Sequence, residues 1–351
     1  SLIMSAYIYL FFYNFLFSLF DLKKINFNNK IFFLLFIFNL LVVGSRSFVG
    51  ADWSIYELFF ENLLNRDIIY NLLSWDPGYV VLNYLVTFIG GNFLLLNLFV
   101  TLIFLVGLSK FCFYLPYNFF PFFISTSYLI IVVSMGYPRQ SIAIGLFFYA
   151  LTLLFQNKKI SYFFLILMAS TFHMSAIILL LFLLYKVKLS IIRIIFFGLI
   201  FLTISLIFYY LFSARINNYL QDFIFDIQHN SSAAFIRHFL NIFTYSIFLI
   251  MCKVYKNDNL LIKNKDFFNY IYFILLILTP FVFVYSSLFD RFTLYFTCIQ
   301  LYSMTYCLRI LQDYLIKYIF YTLAVVMYFL ILYVWLNYSP NSIGWMPYNI
   351  F

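Results

Sequence analysis

Residues 93 to 109 read Phe93-Leu-Leu-Leu-Asn-Leu-Phe-Val-Thr-Leu-Ile-Phe-Leu-Val-Gly-Leu-Ser109, an uncharged stretch that ends at Lys110. At about 1.5 Å of rise per residue, such a run as a helix approaches the roughly 30 Å thickness of a bilayer's hydrocarbon core. Runs of the same kind recur at 4 to 20, 117 to 134, 190 to 212, 267 to 287 and 318 to 337. None shows the roughly ten-residue alternation of outer-membrane strands, and backbone in lipid must satisfy its own hydrogen bonds. The runs therefore read as transmembrane helices. Composition agrees: 66% of the 351 residues are hydrophobic and 9% are charged, against about 25% charged in soluble domains. The first run lacks a basic leader and a small-residue cleavage site before Asp21, so it reads as a span and not a cleaved signal.

The expected fold class is all-α, a polytopic integral membrane protein of about 10 to 12 transmembrane helices, with re-entrant or short paired helices. The whole chain, 1 to 351, is expected to form one membrane domain. The 52 Phe and 32 Tyr read chiefly as lipid-facing bulk. Cys112, Cys252, Cys298 and Cys307 show no paired spacing, so neither a disulfide framework nor a metal site is expected.

Placement of the charges sets orientation. With the loops around Lys23 to Lys30, Lys110, Lys158 to Lys159, Lys186 to Arg193, Lys253 to Lys265 and Arg309 to Lys317 assigned to the cytoplasm, all 13 lysines lie inside. The loops 46 to 76, 135 to 139, 213 to 236 and 288 to 291 and the tail from 338 then lie outside. Six of the eight arginines, Arg46, Arg66, Arg139, Arg215, Arg237 and Arg291, join them. The inside carries 15 basic and 4 acidic residues and the outside 6 and 8, which together give the net charge of +9. The basic excess thus serves orientation in a bilayer, and no nucleic-acid partner is implied. The alternation closes if 77 to 90, which ends in Gly90-Gly91, and 160 to 185, with His173 at its centre, do not cross as simple spans.

Lysines account for orientation; the outer arginines need a further reason. A guanidinium binds phosphate or carboxylate through two parallel hydrogen bonds and stays charged near lipid. Arg46, Arg139 and Arg291 stand at the edges of apolar runs, at the depth of a lipid phosphate, although each alone also fits an interfacial anchor. Asp52, Trp53 and Tyr56 offer a carboxylate, an indole and a phenol suited to sugar. Apolar residues from Leu58 to Leu73 suggest a surface helix that ends at Asp76-Pro77-Gly78-Tyr79. Asp76 fits a helix cap as well as a catalytic acid or base. His173, titratable within an apolar stretch, is a candidate base or pyrophosphate ligand, and equally a structural histidine. The polar outer segment with Asp222, Asp226, His229, Arg237 and His238 is expected to be a loop that gates substrate or simply connects spans.

Taken in order, Ser45-Arg46, Gly50 to Tyr56, Asp76-Pro77-Gly78-Tyr79, Arg139-Gln140, Phe172-His173-Met174-Ser175-Ala176 and Asp290-Arg291 resemble the EpsG-like Wzy polymerases. The resemblance implies a GT-C-like fold in the bacterial inner membrane with an active cavity facing the periplasm. It also implies a glycosyltransferase that moves a growing glycan from undecaprenyl pyrophosphate onto a new undecaprenyl-pyrophosphate-linked repeat unit. It implies a Wzz-type chain-length co-polymerase as partner and no cofactor or metal, since no metal-binding Asp-x-Asp is present. Under it Arg46, Arg139 and Arg291 bind pyrophosphate, and Asp52, Asp76 and His173 compete as the base. Trp53, Tyr56, Tyr79, Gln140, Arg237, His238 and Asp290 contact substrate. A lipid-linked-oligosaccharide flippase and an O-antigen ligase are the rival readings.

Overall fold

The computed structural model describes residues 5–23, 29–185, 233–255, 262–284 and 286–350, with the isolated positions 203, 206 and 210. The expected span at 190 to 212 and the segment carrying Arg215, Asp222, Asp226 and His229 lie outside those residues, apart from the isolated positions.

Helices account for nearly all of the described chain, as expected. Five of them are long and apolar enough to cross a membrane: α6 (Phe93–Tyr114), α8 (Pro138–Phe155), α10 (Ala234–Val254), α11 (Lys265–Val284) and α14 (Tyr314–Tyr338). Shorter apolar helices stand among them: α1 (Ser5–Leu22), α2 (Asn29–Gly44), α7 (Phe119–Ser125), which runs on as a π-helix over Thr126–Ser134, and α9 (Lys159–Phe172). The rest are α3 (Trp53–Glu61), α4 (Ile68–Ser74), α5 (Pro77–Phe88), α12 (Ser286–Tyr295) and α13 (Cys298–Ile310). Local chemistry starts several of them. Pro77 and Pro138 open α5 and α8, where the missing N–H costs nothing. Asn92 and Asp313 cap α6 and α14 by accepting from Leu95 N and Ile316 N. α7 is capped in trans: Asp21, at the end of α1, accepts from Phe119 N and Phe120 N at 2.8 and 2.7 Å.

Small residues bring the central helices together. A Cβ on Gly107 of α6 would stand 1.8 Å from the Gly145 carbonyl oxygen of α8, so the two backbones touch. A reciprocal amide pair, Asn14 with Asn39 at 2.8 and 2.9 Å, ties α1 to α2, and Asn14 also donates to Thr126. These polar groups satisfy one another within the apolar bundle.

Of the two stretches expected not to cross, 160 to 185 doubles back on itself. The Tyr162 hydroxyl of α9 donates to the Leu179 carbonyl at 2.6 Å, so α9 and the 3-10 helix Met174–Leu184 fold back on each other about His173. After α5, Phe93 packs on Trp53 and Phe60 of α3 at centroid distances of 4.8 and 5.9 Å. The expected surface helix from 58 to 73 is instead broken into α3, a 3-10 turn at Leu63–Asn65, and α4 capped by Asp67. Asn71 donates to the Leu63 carbonyl across the break, which compacts the region against α5. Two short strands, β1 (Arg46–Ser47) and β2 (Asn349–Ile350), pair antiparallel.

Candidate active site

Arg139, on the first turn of α8, is held by three elements. Its Nε donates to the Tyr56 hydroxyl of α3 at 3.0 Å and its Nη1 to Asp76 Oδ2 at 2.8 Å. Its guanidinium lies over the Tyr56 and Trp75 rings, 5.5 and 5.2 Å from the centroids. Asp76 occupies the N-cap position of α5 but its side chain makes no capping bond; the carboxylate is turned to Arg139. Tyr79 backs the cluster, edge-on to Tyr56 at 5.5 Å. Burial raises the Tyr56 phenol's pKa against the opposing charge of Arg139, so it keeps its proton and can donate it onward. The Arg139 side chain remains 30% exposed, and its Nη2 has no acceptor among the described residues. The group is thus oriented, partly shielded from water and still able to bind an anion.

Arg46 is built differently. It is 1% exposed, and its three nitrogens donate to Met135 O, Val43 O and Asn97 Oδ1 at 3.1, 2.7 and 3.2 Å. Only neutral acceptors hold it, beside the Trp53 ring. Burial lowers its pKa to about 10, which leaves it charged at neutral pH. Trp53 in turn donates Nε1 to Glu57 at 3.1 Å. Asp52, half-buried at the N-cap position of α3, is not spent on a capping bond.

Two further pairs reach α12. Gln140 Nε2 donates to the Arg291 carbonyl at 2.9 Å. Ser175, two residues after His173, shares a hydrogen bond with Tyr295 at 3.1 Å. His173 sits at the break after α9, and Gly78 brings α5 to the same place: a Cβ there would be 2.4 Å from Thr171 Oγ1 and 3.0 Å from the Thr171 carbonyl carbon. Gly78→Ala is therefore expected to push Asp76 away from Arg139 and lower activity about tenfold, and Thr171→Ala is expected to restore part of it. An assay of both variants beside the double checks this.

Arg237 and His238 are in the first two turns of α10 and not in a loop. Their burial supplies the reason. Arg237 forms an ion pair with Asp290 and donates to the Tyr128 hydroxyl at 2.6 Å, while its charge lies over the Tyr128 ring. His238 Nε2 meets Thr279 at 3.0 Å. Asp290 and Arg291 likewise belong to the helix α12 and not to the loop expected at 288 to 291. Beneath Arg237 lies a cavity of about 40 Å³ lined by Ser125, Tyr128, Thr297, Gln300 and Tyr328. Gln300 bridges Asn241 at 2.6 Å and Tyr328 at 3.3 Å there.

The structure thus brings Tyr56, Asp76, Tyr79 and Arg139 into contact, and links Arg237 to Asp290 and Gln140 to Arg291. Trp75, Tyr128 and Asn97 were not singled out in the sequence. Trp75 had a signal, an indole beside Asp76-Pro77-Gly78; Tyr128 and Asn97 sit in apolar runs with none. Among the described residues no group of three or more His, Cys, Asp or Glu side chains is placed to hold a metal ion.

Phe93 and His173, beside the site, mark one end of α6 and α9, and Lys110 and Lys159 stand toward the opposite ends. A family match over residues 29–350 takes in every one of these side chains. The chain belongs to the EpsG family. No curated protein and no solved structure matches it. EpsG-family membership, with the apolar helices, makes this a membrane protein and supports a polysaccharide-polymerase or glycosyltransferase role in general terms.

Proposed function

We propose that this EpsG-family protein polymerises undecaprenyl-pyrophosphate-linked repeat units at the periplasmic face of a bacterial inner membrane. The observation that carries the reading is Arg139, oriented by Tyr56 and Asp76 yet 30% exposed with Nη2 unspent. Such a group suits a pyrophosphate at the lipid surface.

In the proposed reaction a hydroxyl of the incoming unit attacks the anomeric carbon of the growing chain. The bond from that carbon to the pyrophosphate oxygen breaks, the oxygen keeps the electron pair, and undecaprenyl pyrophosphate leaves. Arg139 and the Tyr56 O–H stabilise the charge that develops on it, with Arg291 nearby. Arg46, enclosed by neutral acceptors, adds positive potential without direct contact. Of the three candidate bases, Asp76 is engaged with Arg139, and His173 stands at the α9 break. Asp52 is the carboxylate spent on neither cap nor ion pair, and we assign it the hydroxyl proton. Trp53, Tyr79 and Gln140 shape the sugar side. Arg237, His238 and Asp290 support the acceptor side, and a Wzz-type co-polymerase is the implied partner.

Purified protein incubated with its lipid-linked repeat unit in the presence of EDTA is expected to give a ladder of products on a gel. Asp52→Asn is expected to slow it by about 10²- to 10⁴-fold, the range for loss of a general base. An unchanged substrate band with folded wild-type protein would favour the flippase or ligase readings. A ladder that vanishes with EDTA and returns with a divalent cation would sink the metal-free mechanism.

A further inference from the structure

Trp345 is fully buried, far in sequence from every arginine of the site. Its Nε1 donates to the Ile131 carbonyl at 2.9 Å, within the π-helical stretch, and its own carbonyl accepts from the Tyr7 hydroxyl at 2.6 Å. The benzo edge of the indole lies against Gly136, where an added Cβ would come 2.3 Å from Cζ2 and Cη2. Gly136 leads through Tyr137 and Pro138 into the turn of α8 that carries Arg139 and Gln140. One residue before it, the Met135 carbonyl accepts from Arg46 Nε at 3.1 Å.

The neighbours of Trp345 hold the other side of the same turn. The Gly344 carbonyl accepts from the Gly50 amide at 2.8 Å. Gly50 itself has φ +124°, and a Cβ there would be 3.0 Å from the Met135 carbonyl oxygen, so only glycine fits without strain. β2 pairs with β1, setting Arg46 opposite Ile350 and Ser47 opposite Asn349. Tyr348 donates its hydroxyl to the Val42 carbonyl at 2.5 Å.

We propose that Trp345 is a positioning residue for the arginine site: with β2, it sets the turn at residues 135–137 and so fixes Arg46 and Arg139 relative to each other. The two arginines reach the site from different elements, β1 and α8, and share no direct bond. Their common support is this turn, with the indole packed against one face and Gly50 against another. No slack separates the ring from Gly136, so a shift of the ring passes directly to the start of α8. A displacement of about 1 Å at a reacting group costs on the order of 10²-fold in rate. The activity readout rests on the polymerase reading; the geometry does not.

The test compares Trp345→Ala, Trp345→Phe, Gly136→Ala and the double variant Gly136→Ala with Trp345→Phe, each as rate per folded protein in vesicles. Trp345→Ala is expected to lower kcat about 10²-fold while KM for the lipid-linked unit stays near wild type. Gly136→Ala, which drives a methyl into the ring, is expected to do the same. In the double variant the shorter phenyl ring makes room for that methyl, and activity is expected to rise at least tenfold over Gly136→Ala alone. A purely structural role would lower the yield of folded protein and leave the specific activity intact; that result, or a double variant no better than Gly136→Ala, overturns the proposal. A second readout needs no activity. Facing residues of antiparallel strands have Cα atoms about 4.5–5.5 Å apart, within disulfide reach. Ser47→Cys with Asn349→Cys is expected to cross-link on oxidation and to stop doing so once Trp345→Ala is added. If wild-type protein makes no ladder, the polymerase reading falls, and persistence of that cross-link in Trp345→Ala still overturns the positioning role.

Discussion

Arg139→Ala is expected to abolish the ladder, with a loss of about 10³-fold or more in rate. Removing one preorganised donor to a developing negative charge typically costs about 10²- to 10³-fold. Here the same change also releases Tyr56 and Asp76, which the guanidinium holds at 3.0 and 2.8 Å. A stability effect accompanies the kinetic one. Asp76 is 3% exposed, and loss of the Arg139 charge beside a buried carboxylate is destabilising. The two effects separate in the double variant Arg139→Ala with Asp76→Asn, which removes both charges. Thermal unfolding in detergent is expected to recover toward wild type while the ladder stays absent. Recovery of polymer in that double variant would mean that Arg139 serves only to neutralise Asp76. Arg139→Lys is expected to behave nearly as badly as Arg139→Ala, because an ammonium cannot satisfy Tyr56, Asp76 and a phosphate oxygen with the same fork.

Gly107→Val is expected to leave almost no folded protein. A Cβ at this position would meet Gly145 backbone atoms at 1.8, 2.4 and 2.8 Å, and backbone cannot turn aside as a side chain can. The helices must separate. In a bilayer this matters more than in water, since close packing of small residues is a main force between helices. α8 is the most enclosed of the five long apolar helices, with 72% of its residues buried, so its displacement disturbs several neighbours at once. Overpacking a core typically costs about 1–3 kcal/mol, and a backbone collision more. The size-exclusion profile in detergent is the measurement. Val106→Leu, one residue away and 38% exposed, is the control and is expected to give a wild-type peak.

Arg139 and Arg237 are framed alike, each by a carboxylate and a tyrosine hydroxyl with an aromatic face beneath. Their settings differ where it counts. Arg139 is 30% exposed and Arg237 12%. Of the two, Arg139 is the more open to an anion from outside the bundle. Arg237, in the first turn of α10, holds α10 to α12 and to the π-helical stretch through Asp290 and Tyr128.

What the sequence by itself determined were the features that depend on short stretches and on solvent. Uncharged runs set the helices, because backbone in lipid has no other way to satisfy its hydrogen bonds. The parity of basic loops marked 77 to 90 and 160 to 185 as non-crossing, and Tyr162 bonded to Leu179 shows the second of them folded back. The ordered motifs around Arg46, Asp76, Arg139, His173 and Asp290 named most of the residues that meet. Tertiary structure alone decided how they meet. Asp76 stands at a cap position, and only the approach of α8 turns its carboxylate to Arg139. Arg237 and His238 read as loop residues because polar groups at a run's edge look solvated, yet Asp290, Tyr128 and Thr279 draw them into the bundle. Tyr128 and Gln300 lie within apolar or uncharged stretches, where the pairing of one polar group with another leaves no local pattern. Trp345 and β2 were the least legible, since their partners Ile131, Gly136 and Arg46 lie some two to three hundred residues away. Periodicity and spacing report what a segment does with its own solvent; they carry no information about which distant segment will supply its missing donor or acceptor.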